Sequence, residues 1–184
     1  MTDSIKTWIA IYEKLKDKAL CMDIECCYWN GPISLVGIYK PTEGQIISES
    51  FVKGQNLTRT NLKHAFKDCK LLITYNGLKF DVPKLQKDFP GTLPKKIPTF
   101  DIYIFSKLLG INTNLKVLET SLGIERHESV EGKRHVSTRL WKRWSEKNDK
   151  KALDLLIEYN RQDVINMYPL AEKLIDMAKE KTDK

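Results

Sequence analysis

The stretch Leu20-Cys21-Met22-Asp23-Ile24-Glu25-Cys26 constrains this chain more than any other, because it sets two acids into an apolar run. Side chains alternate between the faces of a strand. Asp23 and Glu25 therefore point to one side while Met22 and Ile24 enter a core. Neighbouring carboxylates repel, and partial burial strengthens the repulsion. A divalent cation held by hard oxygen ligands relieves it; two solvated acids at a strand end are the plain alternative. The strand alone does not choose between these readings. Two later acidic blocks bear on the choice.

A chain of 184 residues is long enough for one domain with a sizeable core, so residues 1–184 are read as a single unit. Hydrophobic residues make up 41% and charged residues 30%, the balance of a soluble globular protein. Lys and Arg outnumber Asp and Glu by 31 to 24, a net charge of +7. A basic surface beside an acidic cluster suits a metal enzyme that handles polyanions. The four cysteines, Cys21, Cys26, Cys27 and Cys69, have no paired spacing for zinc and suggest no disulfide. No apolar run reaches membrane-spanning length, and Lys6, Glu13 and Lys14 interrupt any leader-like start. No membrane partner and a cytoplasmic location are expected.

Residues 4–16 are expected to form an amphipathic helix within an N-terminal segment 1–18, capped by Ser4 and striped with Ile5, Trp8, Ile9, Tyr12 and Leu15. It is expected to cover a sheet edge. After the first strand, Asn30-Gly31-Pro32 makes a turn. Residues 33–39 and 45–52 read as strands joined by Pro41-Thr42-Glu43-Gly44, completing an antiparallel three-strand meander. A helix is expected to begin near Thr58 or Thr60. Residues 71–75 read as a strand buried on both faces. A helix over 82–89, a strand over 97–102 and a helix through Leu109 follow, then a short helix marked by Leu115, Leu118 and Leu122 and broken at Gly123. Residues 125–151 hold nine Lys or Arg against five Asp or Glu, with Trp141 and Trp144 embedded. A last helix from near Lys151 carries Leu153, Leu156, Ile157, Val164 and Met167, with a kink or restart expected at Pro169. The fold class is thus α/β, a mixed sheet in which the meander is followed by alternating helices and strands.

The second acidic block, Tyr75-Asn76-Gly77-Leu78-Lys79-Phe80-Asp81, hands a buried strand to a helix. Asp81 serves there either as a cap or as a functional acid. In the third block, Glu158-Tyr159-Asn160-Arg161-Gln162-Asp163-Val164, Tyr159 and Asp163 lie four apart and share a helix face. Asp163 borders the apolar stripe, and its inner face offers no neighbouring Lys or Arg, so the acid needs a partner or lies exposed.

Asp23-x-Glu25, Asn76-Gly77-x-x-Phe80-Asp81 and Tyr159-x-x-x-Asp163, in this order, resemble the three exonuclease motifs of the DEDD superfamily. Leu115-Lys116-x-Leu118-Glu119-x-x-Leu122-Gly123-Ile124 extends the likeness to its bacterial and archaeal ribonuclease H-like predicted exonucleases. The resemblance covers residues 19–170, the expected catalytic core. One branch of that superfamily has His five positions before the last acid and the other has Tyr four before. Glu158 and Tyr159 stand at those two positions, while His64, His127 and His135 lie elsewhere, so this chain resembles the Tyr branch, DEDDy.

The resemblance implies a ribonuclease H-like fold and a metal-dependent 3′–5′ exonuclease acting on single-stranded DNA or RNA. It implies two ions, Mg²⁺ or Mn²⁺, one held by Asp23, Glu25 and Asp163 and the second by Asp23 and Asp81. Ions about 4 Å apart stabilise the attacking and leaving oxygens of phosphoryl displacement. Tyr159 would orient the water, being a poor base at an unperturbed pKa of about 10. A structure-selective endonuclease and a catalytically idle nucleic-acid-binding module are the alternatives. Asn76 reads as a turn residue, with substrate contact as the alternative, and Asp101 as a cap or an extra acid. Trp141 and Trp144 read as packing residues. Lys133, Arg134, Arg139, Lys142 and Arg143 are either phosphate contacts or a solvated helix face.

Overall fold

The computed structural model describes residues 3–42, 45–126 and 136–182. Five strands, β1 (Ala19–Cys26), β2 (Ile33–Thr42), β3 (Gln45–Val52), β4 (Leu71–Thr74) and β5 (Thr99–Asp101), form one sheet. Their order is β3-β2-β1-β4-β5. β1 pairs antiparallel with β2, and β2 with β3. β1 pairs parallel with β4, and β4 with β5. The expected mixed sheet and its meander are present. β1 is the hinge between the two halves: short turns permit antiparallel neighbours, whereas a parallel neighbour requires a crossover.

Among the described residues, seven α-helices flank the sheet: α1 (Asp3–Leu15), α2 (Arg59–Phe66), α3 (Asp81–Asp88), α4 (Ile102–Leu108), α5 (Leu115–Ser121), α6 (Val136–Lys147) and α7 (Lys150–Thr182). The two-residue alternation along β1 sorts the core into layers. Leu20, Met22 and Ile24 face one side with Leu72, against Leu62, Ala65 and Phe66 of α2 and Leu85 of α3. Ala19 and Cys21 face the other side with Leu71, Ile73 and Phe100, against α1, α4 and the second half of α7. Asp23 and Glu25 continue this second row, so the α7 side of the sheet is the acidic one. Leu35 and Val52 meet Leu140 and Trp141 of α6 and Leu153 and Leu156 of α7 in a third cluster.

The element boundaries follow local chemistry. Thr58 caps α2 by accepting from the Asn61 backbone N–H at 3.2 Å. α1 lies beside the edge strand β5, where Trp8 meets Phe100 edge-on and Tyr12 meets it tilted, with ring centroids 5.6 and 5.3 Å apart. β2 runs three residues beyond its expected end, through Pro41, because β3 continues to pair with it as far as Thr42↔Gln45. The expected turn residues Glu43 and Gly44 lie outside the described residues, as do His127, Lys133, Arg134 and His135.

Of the two outcomes expected at Pro169, the restart does not occur: the 33 residues of α7 run on across the proline. A helix-interior proline costs about 3 kcal/mol. Here Val164 and Met167 before it, and Leu170, Ala171 and Leu174 after it, are all buried in the same cluster. Packing on both sides of the break outweighs the lost hydrogen bond. Among the described residues, no helix is long and apolar enough to cross a membrane.

Candidate metal centre

β1 and β4 differ in length, and that difference builds the site. Parallel pairing covers only Ala19↔Leu71 to Cys21↔Ile73. Past that point the inner edge of β1 has no strand beside it, and the Ile24 backbone N–H needs an acceptor. Asp81 supplies one: its Oδ1 accepts from Ile24 N at 3.1 Å. The acid at the start of α3 thus stands in for a strand partner and is fastened beside Asp23 and Glu25. The plain reading of Asp81 as a simple helix cap is incomplete, since Asp81 is the first residue of α3 and Phe80 precedes it as the cap residue.

The second block is held from behind. Asp101 ends β5 and caps α4, accepting from Tyr103 N at 3.1 Å and Ile104 N at 3.3 Å. The same carboxylate accepts from Asn76 N at 2.8 Å and Leu78 N at 3.1 Å. Asn76 has φ of 57°, so it turns the chain in the left-handed region as its turn assignment requires. Asp101 therefore secures the loop that delivers Asp81.

α7 supplies the remaining groups. A carboxylate oxygen from each of Asp23, Glu25 and Asp163 lies within 4.8 Å of the other two. Asp81 is not one of these three, but it is the charge that most raises Asp23. All four acids are pushed upward, and burial is the leading cause in each case. Asp23 rises well above the carboxylate range, with Asp81, Glu25 and Asp163 adding to burial. Glu25 rises to about 8, opposed by a hydrogen bond with Ser137 of α6. Asp81 rises to about 7, opposed by its Ile24 N–H bond. Asp163 also rises, although Arg126 holds it back. Tyr159 sits half-buried among these acids, and burial with Asp163, Glu25 and Asp23 raises its phenol, which keeps its proton at neutral pH.

The partner that Asp163 was expected to need is a cation from outside α7. The Arg126 guanidinium bonds Asp163 and also reaches Glu119 of α5, where its Nη2 lies 2.8 Å from Oε1. Asn166 of α7 donates to the same Glu119 oxygen at 3.0 Å. Inspection of α7 alone could not find Arg126, which comes from the loop after α5. The available signal was Glu119, an acid next to Leu118 on the inner side of a short helix. Two further contributors were missed, Asn160 and Gly37. The Asn160 side chain donates to Asp23 Oδ2 at 2.8 Å.

The basic segment divides. Arg143 bonds Asp149 at 2.6 Å, and Asp149 in turn accepts from Ala152 N at the start of α7. Lys142 approaches Glu146 at 3.9 Å. Arg139 and Lys142 line an open groove with Tyr28, Lys53 and Trp141. Trp141 and Trp144 pack in the α6–α7 cluster, the packing role expected of them. The exposed aromatics are instead Tyr28 and Trp29, 63% and 81% exposed, in the loop after β1.

The donor set is all oxygen, negatively charged and under-neutralised, which suits a hard divalent cation such as Mg²⁺ or Mn²⁺. A mixed sheet with acids on its central strand, on the helix after its first parallel neighbour and on a crossing helix defines a ribonuclease H-like protein. The RNase_H superfamily model matches residues 20–175, and the chain belongs to that superfamily.

A solved structure agrees on the fold. A family B DNA polymerase from the hyperthermophilic archaeon Pyrobaculum calidifontis aligns with TM-score 0.64 at 20% identity, over 85% of this chain and 24% of the polymerase chain. The chain therefore spans about a quarter of that protein. Exonuclease X in complex with 5′ overhanging duplex DNA aligns with TM-score 0.47 at 12% identity, covering 86% of this chain and 92% of that one. The EXD2 exonuclease domain soaked in Mg and GMP aligns with TM-score 0.34 at 19% identity, covering 99% and 92%. No curated protein sequence matches the chain.

Proposed function

We propose that this chain is a divalent-metal-dependent nuclease that hydrolyses phosphodiester bonds of single-stranded DNA or RNA from the 3′ end, with residues 19–170 as its catalytic core. The observation that carries the reading is the approach of the Asp23, Glu25 and Asp163 carboxylates to within 4.8 Å of one another. Four acids raised by burial and mutual repulsion destabilise a fold unless a cation occupies the space between them. In this reading Asp23, Glu25 and Asp163 hold one Mg²⁺ or Mn²⁺, and Asp23 and Asp81 hold a second. When bound, the ions supply charge stabilisation to the attacking and leaving oxygens and acidify a water.

The chain's own groups do the rest. Tyr159, protonated at neutral pH, orients the attacking water through its hydroxyl and does not abstract the proton. Arg126 balances Glu119 and steadies Asp163. Arg139 and Lys142, with Lys53 across the groove, attract the phosphate backbone. Arg143 is held by Asp149 and contributes less to that track. Asn76 shapes the turn behind the site.

The test is a 5′-end-labelled single strand of DNA, and one of RNA, incubated with Mn²⁺ or with EDTA and resolved on a gel. A one-nucleotide ladder shortening from the 3′ end, absent in EDTA and in Asp23→Asn, is expected. Fixed internal cuts would make the chain an endonuclease. Binding without metal-dependent cleavage of either strand would make it an idle binder.

A further inference from the structure

We infer that Asn160 is a positioning residue that fixes the Asp23 carboxylate, and that Gly37 exists to let it in. The inference rests on Asp23 being a metal ligand. Gly37 is directly opposite Asp23 across the β1–β2 ladder. Opposed residues of an antiparallel pair project from the same face. A side chain at position 37 would therefore stand beside Asp23, on the side where α7 crosses. Instead the Asn160 amide fills that place. A Cβ built on Gly37 would meet Asn160 Oδ1 at 1.7 Å and Cγ at 2.8 Å, so no other residue type fits without moving the amide.

Lying in this slot, Asn160 is fully buried, and its Nδ2 donates to Asp23 Oδ2 at 2.8 Å and to the Asp23 carbonyl at 3.4 Å. Its Oδ1 is buried with no hydrogen-bond partner among the described residues. A side chain present only to fill space would be apolar here, because leaving an acceptor dry is unfavourable. Leu has nearly the same shape and would avoid that penalty. The amide is retained for its donor half.

The chemistry of that donor fits the site. Asp23 is surrounded by Asp81, Glu25 and Asp163, each of which repels it. Left alone, its carboxylate would rotate away from them. A Lys or Arg partner would hold it but would also cancel the charge that a cation needs. A neutral amide anchors one oxygen and leaves the negative charge available. Groups that orient a ligating residue in this way commonly change metal affinity by about 10–100-fold when removed.

The experiment is Mn²⁺ titration of the full chain by calorimetry, with circular dichroism melting to verify each fold. Asn160→Leu, which keeps the volume and removes the donor, should weaken Mn²⁺ binding by about 10-fold or more. It should lower kcat while leaving KM for a single strand unchanged. Gly37→Ala should reproduce the weakening, because the new methyl group displaces the amide. In an Asn160→Ala background, Gly37→Ala should weaken Mn²⁺ no further and lower the melting temperature less than it does alone. Asn160→Leu or Gly37→Ala that folds and binds Mn²⁺ as the wild type does overturns the inference, and additive effects in the double variant overturn the Gly37 part. If Asp23→Asn abolishes Mn²⁺ binding while Asn160→Leu keeps the wild-type affinity, only this inference fails. If the wild type binds no Mn²⁺, the metal site itself fails with it.

Discussion

Replacing Arg126 by Met removes the one described guanidinium that touches both Glu119 and Asp163, while keeping most of its apolar stem. The partners are well shielded: the side chains of Arg126, Glu119 and Asp163 are 13%, 1% and 10% exposed. Removing one member of a buried pair strands the other as an uncompensated charge, which costs about 3–5 kcal/mol. Among the described residues Glu119 would retain only the Asn166 amide, and Asp163 would face Asp23 and Glu25 with just the smaller pull of Lys116 against them. For a chain of this length about 1 kcal/mol corresponds to about 2–4 °C, so the metal-free melting temperature should fall by roughly 6–20 °C. Differential scanning calorimetry in EDTA measures it. Adding Glu119→Gln should recover much of the loss, because a neutral amide no longer needs the guanidinium. Saturating Mg²⁺ should recover the share due to Asp163 but not the share due to Glu119. A melting temperature within about 2 °C of wild type would show that Arg126 does not hold this network, and the reasoning would be wrong.

Three further outcomes follow from the site. Glu25 and Asp81 are raised to about 8 and about 7 in the folded chain, above the unfolded carboxylate range of about 4, so ionising them destabilises the fold. The metal-free melting temperature should climb as pH falls from above 8 toward 5. Saturating Mg²⁺ should flatten the climb, and Asp23→Asn should raise the metal-free value at pH 8 while abolishing hydrolysis. Tyr159→Phe should bind Mn²⁺ normally in calorimetry and lose turnover by about 10²-fold, the cost of a misplaced attacking water; lost metal binding would make Tyr159 structural. Neutralising Arg139 and Lys142 together should lower the salt slope of single-strand binding by about 0.7 for each phosphate contact removed. An unchanged slope in fluorescence anisotropy would move the nucleic-acid track elsewhere on the surface.

Local pattern was enough to read what depends on near neighbours. The alternation through Leu20–Cys26 put Asp23 and Glu25 on one face and Met22 and Ile24 on the other, because a strand has a two-residue repeat whatever surrounds it. Tyr159 and Asp163 came out on one helix face for the equivalent reason. A helix start near Thr58 or Thr60 and Asn76 as a turn former were legible from side-chain chemistry alone. The mixed sheet followed from connection lengths, since short turns allow antiparallel pairing and helices carry the parallel crossovers.

What the pattern did not show depends on groups far apart in the chain. Arg126 reaches Asp163 across 37 positions, and Asn160 reaches Asp23 across 137. Asp81 takes up a backbone donor that is free only because β4 is shorter than the strand beside it. Pro169 reads as a break until the core on both sides of it is seen to hold the helix together. Gly37 reads as a gap in a strand until α7 is laid across it and an amide is found in its place. The sequence by itself determined which residues are acids and which way their strand or helix turns them. Tertiary structure alone decided which cation, which amide and which empty position each acid would meet, because Coulomb and contact energies depend on distance in space and carry no record of distance along the chain.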